Sequence, residues 1–227
     1  MADAGARAAA LMLAGIISCA SPSREATGPP MTDYPIFSEE RRELTREYAR
    51  RHYGIDEWRL ASPAMVVVHY TAIGSIEESL RYFEPAVVSP GRAYIRQFGR
   101  LNVGVHFVVD RDGSVYRLLP EHVMGRHAIG FNHVAFGIEN VGRSAKDLTQ
   151  AQARSNALLV SYLVKKYPGV RFLVGHHEYM RRDCPHFAHY RALDRTYRPT
   201  VKIDPGDKFM GEVRHILENQ HGIVLEK

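Results

Sequence analysis

Two apolar stretches of the sequence run directly into a histidine. Residues 65–68 precede His69, and residues 170–175 precede His176. Short apolar runs rich in β-branched residues predict buried strands. Because ligands of open α/β sheets bind beyond the carboxyl ends of the strands, each histidine is expected to project into a cleft from a rigid support. Both are therefore candidate metal ligands, although a histidine packed in the core is the plainer interpretation of His69 taken alone.

An aspartate at a turn is the third candidate ligand. Asp204 is followed by Pro205 and Gly206, just before a predicted helix. Taken alone it would be interpreted as a turn residue or a helix cap, since Asp-Pro-Gly is common in turns. A catalytic zinc, however, needs about three protein ligands and keeps one position open. Together, His69, His176 and Asp204 form a candidate Zn²⁺ site.

A mixed sheet flanked by helices, an α/β fold, is expected to position these side chains. Alternating and short apolar runs predict strands at residues 65–69, 103–109, 114–119, 135–141 and 170–176. Capping residues and apolar spacing predict helices that begin after Ser38, Ser75, Thr149 and Gly206. Residues 85–99 are expected to form a loop, and residues 110–113 a hairpin turn.

The N-terminal stretch is not expected to belong to this fold. Residues 8–17 are apolar and follow Arg7, a length typical of a signal peptide and too short to span a bilayer. Residues 16–19 (Ile-Ile-Ser-Cys) resemble a bacterial lipobox, in which the cysteine is lipidated and becomes the mature N-terminus. We predict a lipoprotein signal peptide at 1–19, a flexible tether at 20–37 and one domain at 38–227. A plain secretory signal is the alternative.

Lipidation at Cys19 would place the protein on the exported side of a membrane. The protein is expected to be held by a lipid anchor in a membrane, with its domain facing the periplasm. Ala20, directly after Cys19, is compatible with sorting to the outer membrane. The only other cysteine is Cys184, so no disulfide framework is expected. The net charge is +5, with no long Lys/Arg block and no nucleic-acid motif, so nucleic acid is not an expected partner.

Four short motifs, in order, give the chain a family resemblance. They are His69-Tyr70-Thr71, Gly137-Ile138-Glu139, Gly175-His176, and residues 202–206 (Lys-Ile-Asp-Pro-Gly). The set resembles the type 2, zinc-dependent N-acetylmuramoyl-L-alanine amidases, which are related to peptidoglycan-recognition proteins and T7 lysozyme. The resemblance covers residues 63–214. It implies hydrolysis of the amide bond between N-acetylmuramic acid and L-alanine in peptidoglycan or muropeptides.

The same resemblance implies roles for individual residues. It places the two histidines and Asp204 on the zinc, a catalytic glutamate at Glu139 and a lysine at Lys202. Glu139 would move protons, and Lys202 would stabilise the oxyanion. The apolar neighbours of Glu139, Phe136 and Ile138, are expected to raise the pKa of its carboxyl group. Residues 126–130 match the family segment that lines the cleft, so Arg126 and His127 are expected to contact the substrate, whereas His106 is expected to pack in the core.

The sequence departs from the short family pattern between His176 and Asp204. An insert at 178–197 lengthens this connection, and it contains Cys184, which resembles the cysteine ligand of a family variant. We prefer Asp204 because only it has a lysine two residues before it and Pro-Gly after it. His177 is a second rival, but strand neighbours face opposite ways, so only one of the adjacent histidines can bind. A non-catalytic peptidoglycan-binding module is the alternative function.

Overall fold

A six-stranded mixed sheet forms the centre of the computed structural model, which describes residue 1 and residues 28–227. Apart from residue 1, the predicted signal peptide lies outside the described residues, and so does the predicted lipidation site at Cys19. In chain order the strands are β1 (Met31–Asp33), β2 (Met65–Tyr70), β3 (Phe107–Val109), β4 (Val115–Arg117), β5 (Ala135–Asn140) and β6 (Phe172–Gly175). The order across the sheet is β1-β4-β3-β5-β2-β6. Among these six strands, only β3 and β4 pair antiparallel, through the predicted hairpin.

Five helices accompany the sheet in the described part of the chain. They are α1 (Glu39–Tyr53), α2 (Ile76–Phe83), α3 (Ala93–Arg96), α4 (Gln150–Lys166) and α5 (Asp207–His221). The predicted caps are present: the Ser38 hydroxyl accepts from Arg41 N, and Thr149 and Gln152 form a reciprocal capping box. Helix α1 ends at Gly54, whose φ of 63° is a left-handed conformation that glycine adopts without strain. No helix of residues 28–227 is both long and apolar enough to cross a bilayer.

The alternation of side chains along the strands divides the core into two layers. Val66 and Val68 of β2, with Phe136 and Ile138 of β5, pack against α4 and α5. The opposite face carries Met65, Val67, Ala135 and Val174, which pack against Ala128, Phe131 and Tyr179. The layer on the second face contains the candidate site, because the alternation continues along the same strands to their carboxyl ends.

The structure corrects the sequence prediction at two segments. Met31–Asp33, placed in the tether at 20–37, forms edge strand β1, and Ile36 N then donates to Leu118 O at 3.0 Å. The ordered domain therefore begins before residue 38. The strand is short and largely exposed, so it carries none of the apolar alternation by which a strand is recognised. Similarly, the predicted loop at 85–99 contains the single-turn helix α3, which has no side-chain cap.

Candidate metal centre and active site

Three residues on one face of the sheet, two on strands and one just beyond a strand, form the base of the site. Each stands two positions after a residue of the same face. His69 stands two positions after Val67 on β2, Glu139 two positions after Gly137 on β5, and His176 two positions after Val174, just beyond β6. Residues two apart on a strand share a face. His69 and Glu139 are register partners, and His176 N donates to Val68 O at 3.0 Å. Adjacent parallel strands therefore bring the side chains of both histidines and of Glu139 to one edge of the sheet.

Asp204 completes a close triangle of ligand atoms with the two histidines. His69 Nδ1 lies 2.9 Å from His176 Nδ1, His176 Nδ1 lies 2.9 Å from Asp204 Oδ2, and His69 Nδ1 lies 3.4 Å from the same oxygen. Ligand atoms bound to a tetrahedral zinc lie about 3.3 Å apart, given bonds of about 2.0–2.2 Å. The triangle thus has the size of one face of a zinc tetrahedron, and the three residues could hold a metal ion.

The charge states of these groups also suit a metal. The pKa of His176 is lowered to about 3, mainly because the ring is buried and secondarily because His69 is close to it. Burial alone would raise the pKa of Asp204, but the contacts with His176 and then with His69 outweigh it and hold this pKa well below its usual value. The site therefore presents a neutral imidazole and a carboxylate, the protonation states that metal binding requires. The residues fit a zinc ion.

The two rival ligands lie elsewhere. His177 faces away from the triangle: its Nε2 lies 3.0 Å from Asp207 Oδ1, and its backbone N donates to Asp204 O at 2.7 Å. His177 thus holds the turn that presents Asp204. Cys184 precedes a 3₁₀ turn (Pro185–His189) in the insert and is free. It belongs to neither of the clusters of potential metal ligands found among the described residues.

Glu139 is the unpaired acid of the site. Its Oε2 is buried without a hydrogen-bond partner among the described residues. Burial raises the pKa of Glu139 well above its ordinary value, the charge of Asp204 raises it further, and Lys202 opposes the shift. The expected shift is present, but its expected cause is wrong. Phe136 and Ile138 point to the opposite face of the sheet, because strand neighbours alternate, and they pack against α4 and α5.

Arg126 and His127 both line the cavity next to His176, but most of their polar side-chain atoms already contact protein groups. The exception is Nε of Arg126, which is buried without a hydrogen-bond partner among the described residues. The Arg126 side chain donates to Gly99 O at 3.1 Å, to Ile95 O at 2.7 Å and to Leu101 O, and the residue is only 3% exposed. These contacts hold the segment around α3 against the cavity wall. Contact of Arg126 with substrate remains a prediction, and its observed bonds favour a structural role.

His127 lies directly behind a candidate metal ligand. Its Nδ1 lies 3.1 Å from His69 Nε2, and its Nε2 lies 3.3 Å from Ala135 O. Its contact with substrate likewise remains a prediction. His106 is a packed core histidine, as expected: it is fully buried, its Nε2 lies 2.8 Å from Val123 O, and its Nδ1 accepts from Gly137 N at 3.0 Å.

A cavity of about 130 Å³ opens beside His176 and Lys202. The insert forms part of its wall through Tyr197, which lines the cavity. The ring of Tyr197 stacks on Phe98, with centroids 4.2 Å apart. Arg92 also lines the cavity, and its Nη1 is buried without a hydrogen-bond partner among the described residues. Sequence reasoning missed Arg92, because an arginine in a predicted loop gives no signal that distinguishes it from a solvated charge.

The comparisons with known proteins agree with this geometry. Residues 59–187 match the family model described as Amidase_2, N-acetylmuramoyl-L-alanine amidase. The chain belongs to this family. The amidase is 36% identical over 102 residues to the endolysin of Escherichia phage T7, an alignment that covers 42% of this chain and 67% of the endolysin. It is also 32% identical over 112 residues to the human N-acetylmuramoyl-L-alanine amidase, covering 46% of this chain and 19% of the human protein.

A solved structure supports the fold independently. The crystal structure of a selenomethionine AmpD derivative superposes with a TM-score of 0.54 at 20% identity, covering 87% of this chain and 99% of AmpD. The family match includes His69, Glu139 and His176 but ends before Lys202 and Asp204. The place of Asp204 in the site therefore rests on the distances above. By its family the protein is an amidase, an enzyme that hydrolyses an amide bond of peptidoglycan.

Proposed function

We propose that the amidase uses one Zn²⁺, held by His69, His176 and Asp204, to hydrolyse the bond between N-acetylmuramic acid and L-alanine. The observation that carries the proposal is the triangle of two imidazole nitrogens and a carboxylate oxygen, with edges of 2.9, 2.9 and 3.4 Å. Bound zinc supplies Lewis acidity for attack of water on an amide. Three protein ligands leave a position open for that chemistry.

Glu139 is proposed as the proton carrier. It is register partner to His69, so its carboxyl group lies beside the metal ligands on the same face of the sheet. A carboxyl group with a raised pKa is a stronger base than an ordinary glutamate once ionised, and a competent acid once protonated. Glu139 would take a proton from the attacking water and deliver it to the leaving amine of L-alanine.

Lys202 is proposed to stabilise the negative charge that develops on the amide oxygen. It lies with His176 along the wall of the cavity, and its charge acts on Glu139. A fixed cation near a developing oxyanion acts mainly in the transition state, because the amide oxygen carries little charge before attack. Lys202 therefore contributes to the rate more than to substrate binding.

The cavity beside the site is proposed to hold part of the stem peptide. Tyr94 and Tyr197 offer aromatic surface there, and Arg92 offers a guanidinium nitrogen with no partner in the described chain. A buried donor without a partner carries a desolvation cost that a ligand carboxylate would offset. Stem peptides carry carboxylates, so Arg92 is a suitable contact for one of them.

The alternative, a module that binds peptidoglycan without cutting it, has less support. A binding module has no need of a buried acid with a raised pKa next to three convergent ligand atoms. Release of free peptide from purified sacculi tests the choice. The wild-type amidase is expected to release peptide, chelation is expected to stop the release, and added zinc is expected to restore it. Binding to sacculi without release, in zinc-loaded protein, would favour the binding module.

A lipid anchor at Cys19 is proposed for the N-terminus, with the enzyme facing the periplasm from the outer membrane. The support is the lipobox-like sequence that ends at Cys19, followed by Ala20. Labelled fatty acid should enter the wild-type protein and should be absent from Cys19→Ala, while Cys184→Ser, the matched control, should still be labelled. Label in Cys19→Ala would contradict the anchor.

A further inference from the structure

His127 forms the middle of a hydrogen-bonded chain that ends at the proposed metal. The chain runs from Ala135 O to His127 Nε2 (3.3 Å), and from His127 Nδ1 to His69 Nε2 (3.1 Å). The other nitrogen of His69, Nδ1, is the one that faces His176 and Asp204. Both nitrogens of His127 are therefore committed to neighbouring groups of the protein.

The chemistry of the chain allows one arrangement of protons when both rings are neutral. A carbonyl oxygen only accepts, so the hydrogen bond to Ala135 requires the proton of His127 on Nε2. His127 Nδ1 then carries a lone pair and accepts from His69 Nε2–H. His69 consequently has no proton on Nδ1, and this lone pair points at the ligand atoms of His176 and Asp204. The opposite arrangement would place a proton on the nitrogen that must bind the metal.

The surroundings of His127 are built to hold the ring in this place. Gly137 shares the face of β5 with Glu139, and a Cβ on Gly137 would lie 2.9 Å from His127 Cγ and Cδ2. Carbon atoms this close overlap, so only glycine leaves room for the ring. The backbone is held as well, because Asn132 Oδ1 accepts from the backbone N of His127 at 2.8 Å and of Ala128 at 2.7 Å.

We propose that His127 is a positioning residue that fixes His69 in the tautomer that binds zinc through Nδ1. This role rests on the proposed zinc site. Groups that orient a metal-bound histidine in this way typically change metal affinity by about 10- to 100-fold when they are removed. His127→Phe should therefore weaken zinc binding by about that factor, although the ring never touches the metal.

Two further variants separate hydrogen bonding from packing. In His127→Asn the side-chain oxygen can accept at the position of Nδ1, so this variant should retain more of the zinc affinity than His127→Phe. Gly137→Ala keeps the histidine but displaces its ring, and it should resemble His127→Phe. His122→Phe is the matched control, since His122 is exposed and stands outside the site, and its zinc affinity should equal that of the wild type.

Zinc affinity is measured by competition with a chelator. The tautomer of His69 is read from long-range ¹H–¹⁵N spectra of the metal-free protein. Thermal unfolding selects the variants that are folded. We expect Nε2–H on His69 in the wild type and a mixture of tautomers in folded His127→Phe. Wild-type affinity in His127→Phe, equal losses in His127→Phe and His127→Asn, or Nδ1–H on His69 in the wild type would each overturn the proposal. Failure of the wild type to bind zinc would instead overturn the proposed metal site, and the tautomer measurement would still decide the role of His127.

Discussion

Replacement of Glu139 by glutamine isolates proton transfer from metal binding. Glu139→Gln keeps the size of the side chain and removes its ability to take a proton. Loss of a general base costs about 10²- to 10⁴-fold in rate, or about 3–5 kcal/mol in the barrier. Asp204, the other carboxylate at the site, lies 2.9 Å from His176 Nδ1 and 3.4 Å from His69 Nδ1, so it is not free to replace Glu139. We therefore expect a loss of kcat near the upper end of this range.

The assay is steady-state cleavage of a soluble muropeptide by zinc-loaded wild-type and Glu139→Gln enzymes across a range of pH. Zinc content should be equal in the two proteins, and KM should change far less than kcat. Wild-type activity should fall as the pH decreases through the pKa of Glu139, which burial places above the ordinary value for a carboxyl group. This acidic limb should flatten in the variant. A kcat near that of the wild type, with full zinc, would refute the assignment.

Three further substitutions test other parts of the account. Lys202→Met should lower kcat by about 10²- to 10³-fold with little change in KM, and a change confined to KM would contradict its role at the oxyanion. Arg92→Gln should raise KM for substrates with a free stem-peptide carboxylate and not for their amidated forms. The exposed control Arg96→Gln should change KM for neither kind of substrate. Equal effects of Arg92→Gln on both kinds of substrate would exclude carboxylate recognition. His106→Gln tests the pH dependence of stability: burial lowers the pKa of His106 from 6.5 to about 4, so the unfolded state takes up the proton first and the free energy of unfolding falls as the pH drops from about 6.5 to about 4. At about 1.4 kcal/mol per pKa unit the contribution of His106 is about 3 kcal/mol. Chemical denaturation should show that the total loss of unfolding free energy between these pH values is smaller in the variant by that amount, and an equal loss in both proteins would contradict the buried neutral ring.

The sequence was sufficient to predict the elements whose signal is local. Helix α4 is bounded by a capping box at Thr149 and by Pro168-Gly169, and both signals lie within a turn of the helix ends. The strands that end at His69 and near His176 are continuous apolar runs, so their burial could be expected from composition alone. The turn at Asp204 could also be predicted, because Asp-Pro-Gly favours a turn in most contexts.

Features that depend on contacts between distant segments could not be predicted. β1 is recognised only by its pairing with β4, more than 80 residues later in the chain. Arg41 is 1% exposed because its guanidinium donates to Phe83 O and Pro85 O, yet its sequence context is that of a solvated helix face. The bond between His69 and His127 joins residues 58 positions apart. Each of these features exists only once the sheet has brought its partners together.

Zinc content of the ligand variants tests the central claim most directly. Wild-type enzyme and Cys184→Ser should each hold about one zinc per chain, whereas His176→Ala and Asp204→Ala should hold little, because two ligands retain zinc far less well than three. The measurement is zinc per folded chain after dialysis against a weak chelator, with amidase activity followed in the same samples. Full zinc in Asp204→Ala together with loss of zinc in Cys184→Ser would contradict the account, because it would transfer the third ligand from the turn at Asp204 to the insert.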